Sequence, residues 1–181
     1  QCQECVWVEE RIAASRHGSP SLETTVLKQF VVVSMTTIPE RVAHIRPTIK
    51  SILSQSRRPD EVRVYVGFDC DPIEGSRTIR VEDHGPITKL SAVFAPKLPP
   101  DALVVTADDD ILYEPEWLAT LVRAASNRPN EVVGMSGWDV KKLVTDGRFE
   151  RTRPGGLCDV IEGWGGAVYR KKFFIGCDLR K

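Results

Sequence analysis

From residue 30 onward, short runs of apolar, β-branched residues alternate with longer stretches whose apolar positions recur every three or four residues. Phe30-Val31-Val32-Val33-Ser34-Met35 is the first such run, and a continuous apolar run predicts a strand buried on both faces of a parallel sheet. A helix is expected to start in the following Thr36-Thr37-Ile38-Pro39-Glu40-Arg41, with Thr36 or Thr37 as its cap and Pro39 in its first turn. Val42, Ile45, Ile49, Ile52 and Leu53 then fall at helical spacing, and Pro47 should disturb the middle of that helix. Arg57-Arg58-Pro59-Asp60 reads as a turn, and Glu61 to Val66 alternates as a second strand ending in the polar loop Gly67 to Pro72. A short strand near Thr78 to Val81 precedes Asp83-His84-Gly85-Pro86, after which Ile87, Leu90, Val93 and Phe94 mark one side of a helix. Ala102 to Ala107 is another buried strand, running directly into Asp108-Asp109-Asp110. Pro115 opens a helix bearing Trp117, Leu118, Leu121, Val122 and Ala125, and Val132 to Met135 gives one more strand. Residues 137–157 show weak periodicity, and Glu162-Gly163-Trp164-Gly165-Gly166 precedes Ala167-Val168-Tyr169-Arg170.

Strands and helices in alternation predict an α/β fold, with a Rossmann-like, mostly parallel sheet sandwiched by helices. Ligands of such sheets bind at the carboxyl ends of the strands. Three polar segments fall at those ends: Thr36 to Arg41, Asp69 to Asp71, and Asp108 to Asp110. Residues 1–28 are polar and irregular, with a short helix expected over Glu9 to Ser15. Residues 29–181 are therefore expected to form one domain. Gln-Cys-Gln at the start and Arg180-Lys181 at the end read as cut points, so a larger parent protein is expected.

Composition narrows the picture by exclusion. The 181 residues carry 25 Lys plus Arg and 25 Asp plus Glu, so no net charge steers the chain toward nucleic acid or anionic lipid. No apolar run approaches the roughly 20 residues of a membrane helix. The five cysteines (Cys2, Cys5, Cys70, Cys158 and Cys177) are scattered, and Cys2-x-x-Cys5 lacks the second pair a zinc knuckle requires. Reduced thiols in an intracellular, cytoplasmic protein are the favoured reading; a Golgi-lumen protein with one or two disulfides is the alternative.

Three consecutive carboxylates at the end of a buried strand repel one another, and a hard divalent cation such as Mg²⁺ or Mn²⁺ relieves that repulsion. A solvated acidic turn at the head of the Pro115 helix is the structural alternative. The segment Val-Val-Thr-Ala-Asp108-Asp109-Asp110-Ile-Leu-Tyr resembles the DXD motif of GT-A glycosyltransferases, particularly their family-2-like group. Ser34-Met35-Thr36-Thr37-Ile38-Pro39-Glu40-Arg41 is similar to the first nucleotide-binding turn of that group, and Asp83-x-Gly85-Pro86-x-Thr88-Lys89-Leu90 resembles the segment before its nucleotide-contacting helix. Gly163-Trp164-Gly165-Gly166 resembles an acceptor-side loop, so the likeness spans about residues 30–175.

That resemblance implies a GT-A catalytic domain moving a sugar from a UDP- or GDP-sugar to a hydroxyl acceptor, with Mn²⁺ or Mg²⁺ and with inversion. It implies metal contact by Asp110, with Asp108 the second candidate ligand, while Asp108 and Asp109 approach the ribose or donor sugar. Thr37 and Arg41 would border base and ribose, Asp69 or Asp83 would bond the base, and Lys89 would meet a phosphate or the donor sugar, although a lone Lys equally suits a solvated helix face. Trp164, Gly165 and Gly166 would receive the acceptor; the alternative for Trp164 is a core residue at a tight turn. The acid expected after the acceptor loop is missing from Ala167 to Lys172, which leaves Glu162, Asp159 and Asp178, in that order, as candidate bases. A nucleotidyltransferase would place a Gly-rich basic loop after the first strand, where Thr36-Thr37-Ile38-Pro39 stands, and a phosphatase or receiver domain would place acids there. A non-catalytic carbohydrate-binding module would need none of the nucleotide-side segments.

Overall fold

The computed structural model describes residues 5–7, 29–140, 150–152 and 155–177. Six strands make the central sheet, in the order β4 (Arg77–Arg80), β3 (Glu61–Val66), β2 (Val31–Thr36), β5 (Leu103–Thr106), β11 (Ala167–Arg170), β6 (Val132–Gly134). β1 (Cys5–Trp7), parallel to β6, and β9 (Leu157–Cys158) extend it past β6. The pairings β4-β3, β3-β2 and β2-β5 are parallel, whereas β11 runs antiparallel between β5 and β6. An α/β architecture with a mixed, mostly parallel sheet is therefore present. The inserted antiparallel strand is the feature that the sequence pattern did not mark.

Both faces of the sheet are covered, but unequally. Val31, Val33 and Met35 of β2, with Val62, Val64 and Val66 of β3, pack beneath α1 (Arg46–Leu53) and α2 (Trp117–Asn127), which contribute Ile49, Ile52, Leu118 and Leu121. The alternate residues Val32, Tyr65 and Val104 meet Ala92, Val93 and Leu98 on the other face. The period-two alternation of a strand puts one apolar set on each side, which explains why the β2 run is apolar throughout.

Several local expectations change. The helix predicted after β2 divides at the proline: Pro39–His44 is a 3-10 helix, and Pro47 lies in the first turn of α1, where its missing N–H costs nothing. Neither threonine caps the 3-10 helix, whose flanking residue is Ile38. Thr36 Oγ1 donates to the Tyr65 carbonyl at 2.9 Å instead, and Thr37 is used in the site described below. The helix bearing Ile87 to Phe94 is a 3-10 helix over Gly85–Phe94, with Ile87 half exposed and Thr88, Ala92 and Val93 buried. Residues 137–161 include a small antiparallel sheet, β10 (Val160–Ile161), β7 (Gly137–Asp139), β8 (Glu150–Arg151), whose strands are too short to give a sequence period. The short helix expected over Glu9 to Ser15 lies outside the described residues.

Two glycines with positive φ separate backbone need from packing need. Gly166 has φ +94° and a Cβ there would lie 2.7 Å from Trp117 Cζ2, whereas Gly85 at φ +69° faces open space. Gly166→Ala should therefore lower unfolding free energy by about 3 kcal/mol and Gly85→Ala by only about 1 kcal/mol. Urea denaturation of the two variants checks this, and equal losses would contradict it.

Candidate active site

The carboxyl ends of β2 and β5 lie side by side, because Ser34 pairs with Thr106 in register. The chain segments leaving them, Thr36 to Arg41 and Asp108 to Asp110, consequently meet. A cleft of about 310 Å³ opens there, lined by Thr37, Arg41, Asp83, Lys89, Asp108 and Asp109 together with Thr36, Ile38, Gly85 and Pro86.

The three aspartates differ in environment. Asp109 is buried; its Oδ2 accepts from Thr37 Oγ1 at 2.6 Å and its Oδ1 from Arg41 Nη1 at 2.9 Å. Asp108, 31% exposed, accepts from Lys89 Nζ at 2.5 Å. Asp110 is 58% exposed, and its nearest cation is Arg41 Nη1 at 3.3 Å. Repulsion within the triplet is thus offset by fixed side-chain cations. The hydrogen bond that Arg41 donates to Asp109 and the charges of Asp109, Asp110 and Asp108 raise its guanidinium above its already high ordinary value, against the opposing effect of desolvation. It stays charged throughout the accessible pH range.

Helix α1 holds the triplet through a polar row beside its apolar stripe. Thr48 Oγ1 donates to the Asp109 carbonyl at 3.0 Å, and Ser51 Oγ accepts from Tyr113 N–H at 3.1 Å. Just beyond the helix, buried Gln55 donates to the Glu114 carbonyl at 2.7 Å and accepts from Leu118 N–H at 3.0 Å. Spacings of three and four residues put these groups on one side of the helix, so α1 fixes the loop leading from the triplet into α2.

Tyr113 and Trp117 connect the triplet to the glycine loop. The Tyr113 hydroxyl accepts from Asp108 N–H at 2.8 Å and faces the Trp164 carbonyl at 3.4 Å. Its ring stacks at 4.0 Å on Trp117, whose indole N–H donates to the Gly165 carbonyl at 2.8 Å. Burial pushes the Tyr113 phenol well above its ordinary value, and the negative triplet adds to that push, so the hydroxyl remains a donor. Gly165 and Gly166 are buried against Met135 and Trp117, and their backbone is used in holding the loop. Trp164, by contrast, is 48% exposed, which removes the reading of a core tryptophan. Lys89 reaches the same loop: a Cβ on Gly163 would stand 3.3 Å from its Nζ. The chain resembles no protein-family model and no curated protein closely enough to match.

The remaining expected site residues divide clearly. Asp83 lines the cleft and uses Oδ1 to accept from Gly85 N–H at 2.9 Å and Thr88 Oγ1 at 3.1 Å. Asp69 is 84% exposed, pairs with Arg80 and does not line the cleft. Asp159 is exposed and accepts from Val140 N–H at 2.9 Å, in the small sheet. Asp178 lies outside the described residues. Glu162 is only 17% exposed, 3.8 Å from Arg151 Nη2. Burial pushes its carboxyl up, but donors on Ser136, Trp138 and Trp164 together with the charge of Arg151 outweigh burial and hold it below its ordinary value. Tyr113, Trp117 and the Thr48-Ser51-Gln55 row carry no site signature in the sequence. The only signal was polar residues at helical spacing beside the apolar stripe.

If Asp109 is the buried anchor of the cleft, Thr37→Val should cost about 2 kcal/mol of stability, because it strips a donor from a buried carboxylate. The same change in an Asp109→Asn background should cost distinctly less, and a double-mutant cycle by urea denaturation measures the coupling. Additive losses would contradict a direct bond.

Proposed function

We propose that this chain is the catalytic domain of a GT-A-type glycosyltransferase, moving a sugar from a nucleoside-diphosphate donor to a hydroxyl acceptor. The observation that carries this reading is convergence: Thr37, Arg41, Asp83, Lys89, Asp108 and Asp109, widely separated in sequence, line one cleft at the carboxyl ends of two adjacent parallel strands. An α/β sheet offers its ligand site at that position, and the cleft combines cations for phosphate with acids for hydroxyls.

The acids fit a hard divalent cation. Asp109 has both oxygens engaged within the protein, while Asp108 and Asp110 keep exposed carboxylate edges. Among the described residues no three His, Cys, Asp or Glu side chains gather as a metal cage. Mg²⁺ or Mn²⁺ needs only one or two protein carboxylates and completes its shell with phosphate and water. Asp110 and Asp108 would hold it, and it would supply counter-charge for the departing diphosphate.

The chain's own residues account for the remaining steps. Arg41 and Asp83 orient the nucleotide, and Lys89 presents a fixed positive charge between the acids and the glycine loop. Trp164 offers an exposed aromatic face to an acceptor sugar. Glu162, two residues earlier, takes the proton of the attacking hydroxyl. The hydroxyl oxygen bonds to the anomeric carbon as the bond from that carbon to the diphosphate breaks, and the configuration inverts.

Thermal shift with UDP or GDP tests the binding half: stabilisation should be larger with Mn²⁺ than with EDTA. Asp110→Asn should lose at least about a hundredfold in transfer rate while keeping its fold. Equal shifts with and without metal, or a fully active Asn variant, would remove Asp110 from the site. Because Glu162 is held low, its carboxylate is protonated only as pH falls below its ordinary range, near 4.5. Transfer should therefore stay flat from about pH 5 to 7 and fall below that, and Glu162→Gln should lose about 10²-fold or more in kcat with nucleotide affinity unchanged. A rate that titrates near neutrality would assign the base elsewhere.

A further inference from the structure

A second cavity, of about 820 Å³, lies on the sheet face opposite α1 and α2, at the β3–β4 edge. It shares no lining residue with the cleft, although the same loop walls both: Glu82 and His84 face this cavity, Asp83 and Gly85 the cleft. In the parallel register Arg63 stands opposite Arg77, and Tyr65 opposite Ile79. Two guanidinium side chains thus stand side by side at neighbouring positions, an unfavourable arrangement without counter-charge. Glu61 supplies part of it, at 2.6 Å from Arg63 Nη2 and 3.3 Å from Arg77 Nη1. Lys97 adds a third cation to the lining and Glu82 a carboxylate, so among the described residues the cations outnumber the carboxylates even with Glu61 behind them included.

Positive charge is in excess among the described residues, and one buried donor is left unused. Arg63 has a side chain only 7% exposed, and its Nε has no hydrogen-bond partner among the described residues. A buried guanidinium N–H without an acceptor is costly, and such groups call for an explanation. Around it the walls are aromatic and aliphatic, with Tyr65, Phe94 and Ile79. A pocket of several hundred Å³ with apolar walls and a few convergent polar groups has the dimensions of a small-molecule site. The planar fork of an arginine matches a carboxylate.

We infer that this cavity binds a small aromatic carboxylate, its single negative charge received by Arg63 with Arg77 and Lys97, its ring against Phe94 and Ile79. The inference is independent of the chemistry proposed for the cleft.

Equilibrium dialysis with 2-naphthoate tests it, beside the neutral 2-naphthalenemethanol. The wild-type chain should bind naphthoate saturably at one site, with Kd on the order of 0.1 mM, and the alcohol at least about tenfold more weakly. Arg77 and Lys97 are exposed, so Arg77→Glu combined with Lys97→Glu should fold normally, as judged by its melting temperature, and bind naphthoate at least about tenfold more weakly. Lys89→Ala, which alters only the cleft, should bind naphthoate like the wild type. Absence of saturation at several millimolar, equal affinity for the alcohol, full affinity in the charge-reversed variant, or loss in Lys89→Ala would each overturn the inference.

Discussion

The carboxylate of Asp109 is the constraint around which the carboxyl end of this sheet is organised. It is buried, and an unpaired buried charge is among the least tolerable features of a folded protein. Its two oxygens are satisfied from one stretch of chain, by Thr37 just after β2 and Arg41 in the following 3-10 helix. The bonds tie the ends of β2 and β5 together and oblige the first loop to wrap over the triplet. Asp108 and Asp110 are thereby left on either side with exposed edges. One carboxylate is used by the fold, while Asp108 lines the cleft and Asp110 stays exposed beside it.

Positions of the other charged groups follow from rigid elements. Lys89 belongs to a 3-10 segment whose backbone carbonyl accepts from Ser34 Oγ of β2 at 2.5 Å, so its ammonium is aimed from a fixed base. Tyr113 and Trp117 bind the triplet to the glycine loop through one hydroxyl, one indole and a ring stack. Charges and dipoles held in place ahead of a ligand need little reorganisation when charge develops, which is how sites of this type lower barriers. The chain thus places cations and acids around one opening, with the glycine loop that carries exposed Trp164 tied to them through Tyr113 and approached by Lys89.

The apolar runs were readable because a strand buried on both faces leaves no polar alternation: β2 and β5 stand where the hydrophobic pattern predicts them, within one residue or two. The general rule that ligands bind at the carboxyl ends of such strands made the segments Thr36 to Arg41 and Asp108 to Asp110 legible as parts of one end of the sheet, whereas Thr37 itself was singled out only by the resemblance to GT-A enzymes. What the sequence concealed had specific causes. β11 has only four residues, and nothing in Ala-Val-Tyr-Arg signals that it inserts antiparallel between β5 and β6. Thr37 looked like a helix cap because a threonine ahead of a proline-led turn satisfies that pattern equally well; its actual partner is 72 residues away. Asp69 follows β3 as Asp108 follows β5, yet the strand order sets β3 one position farther from β5, and the side chain turns to Arg80. Long-range pairing of this kind has no local signature. The Thr48-Ser51-Gln55 row shows the converse: its spacing was visible, but its meaning depended on which loop packs against it.

Which bond of the sugar nucleotide breaks can be observed directly. Incubating the chain with UDP- or GDP-sugar, Mn²⁺ and a mixture of hydroxyl acceptors, and following the phosphorus spectrum by ³¹P NMR, identifies the products without assuming an acceptor. The account predicts conversion of the sugar nucleotide to nucleoside diphosphate, by cleavage between the anomeric carbon and the diphosphate oxygen. Accumulation of nucleoside monophosphate with sugar phosphate, or formation of nucleoside triphosphate when pyrophosphate is added, would contradict it by placing the break within the diphosphate itself.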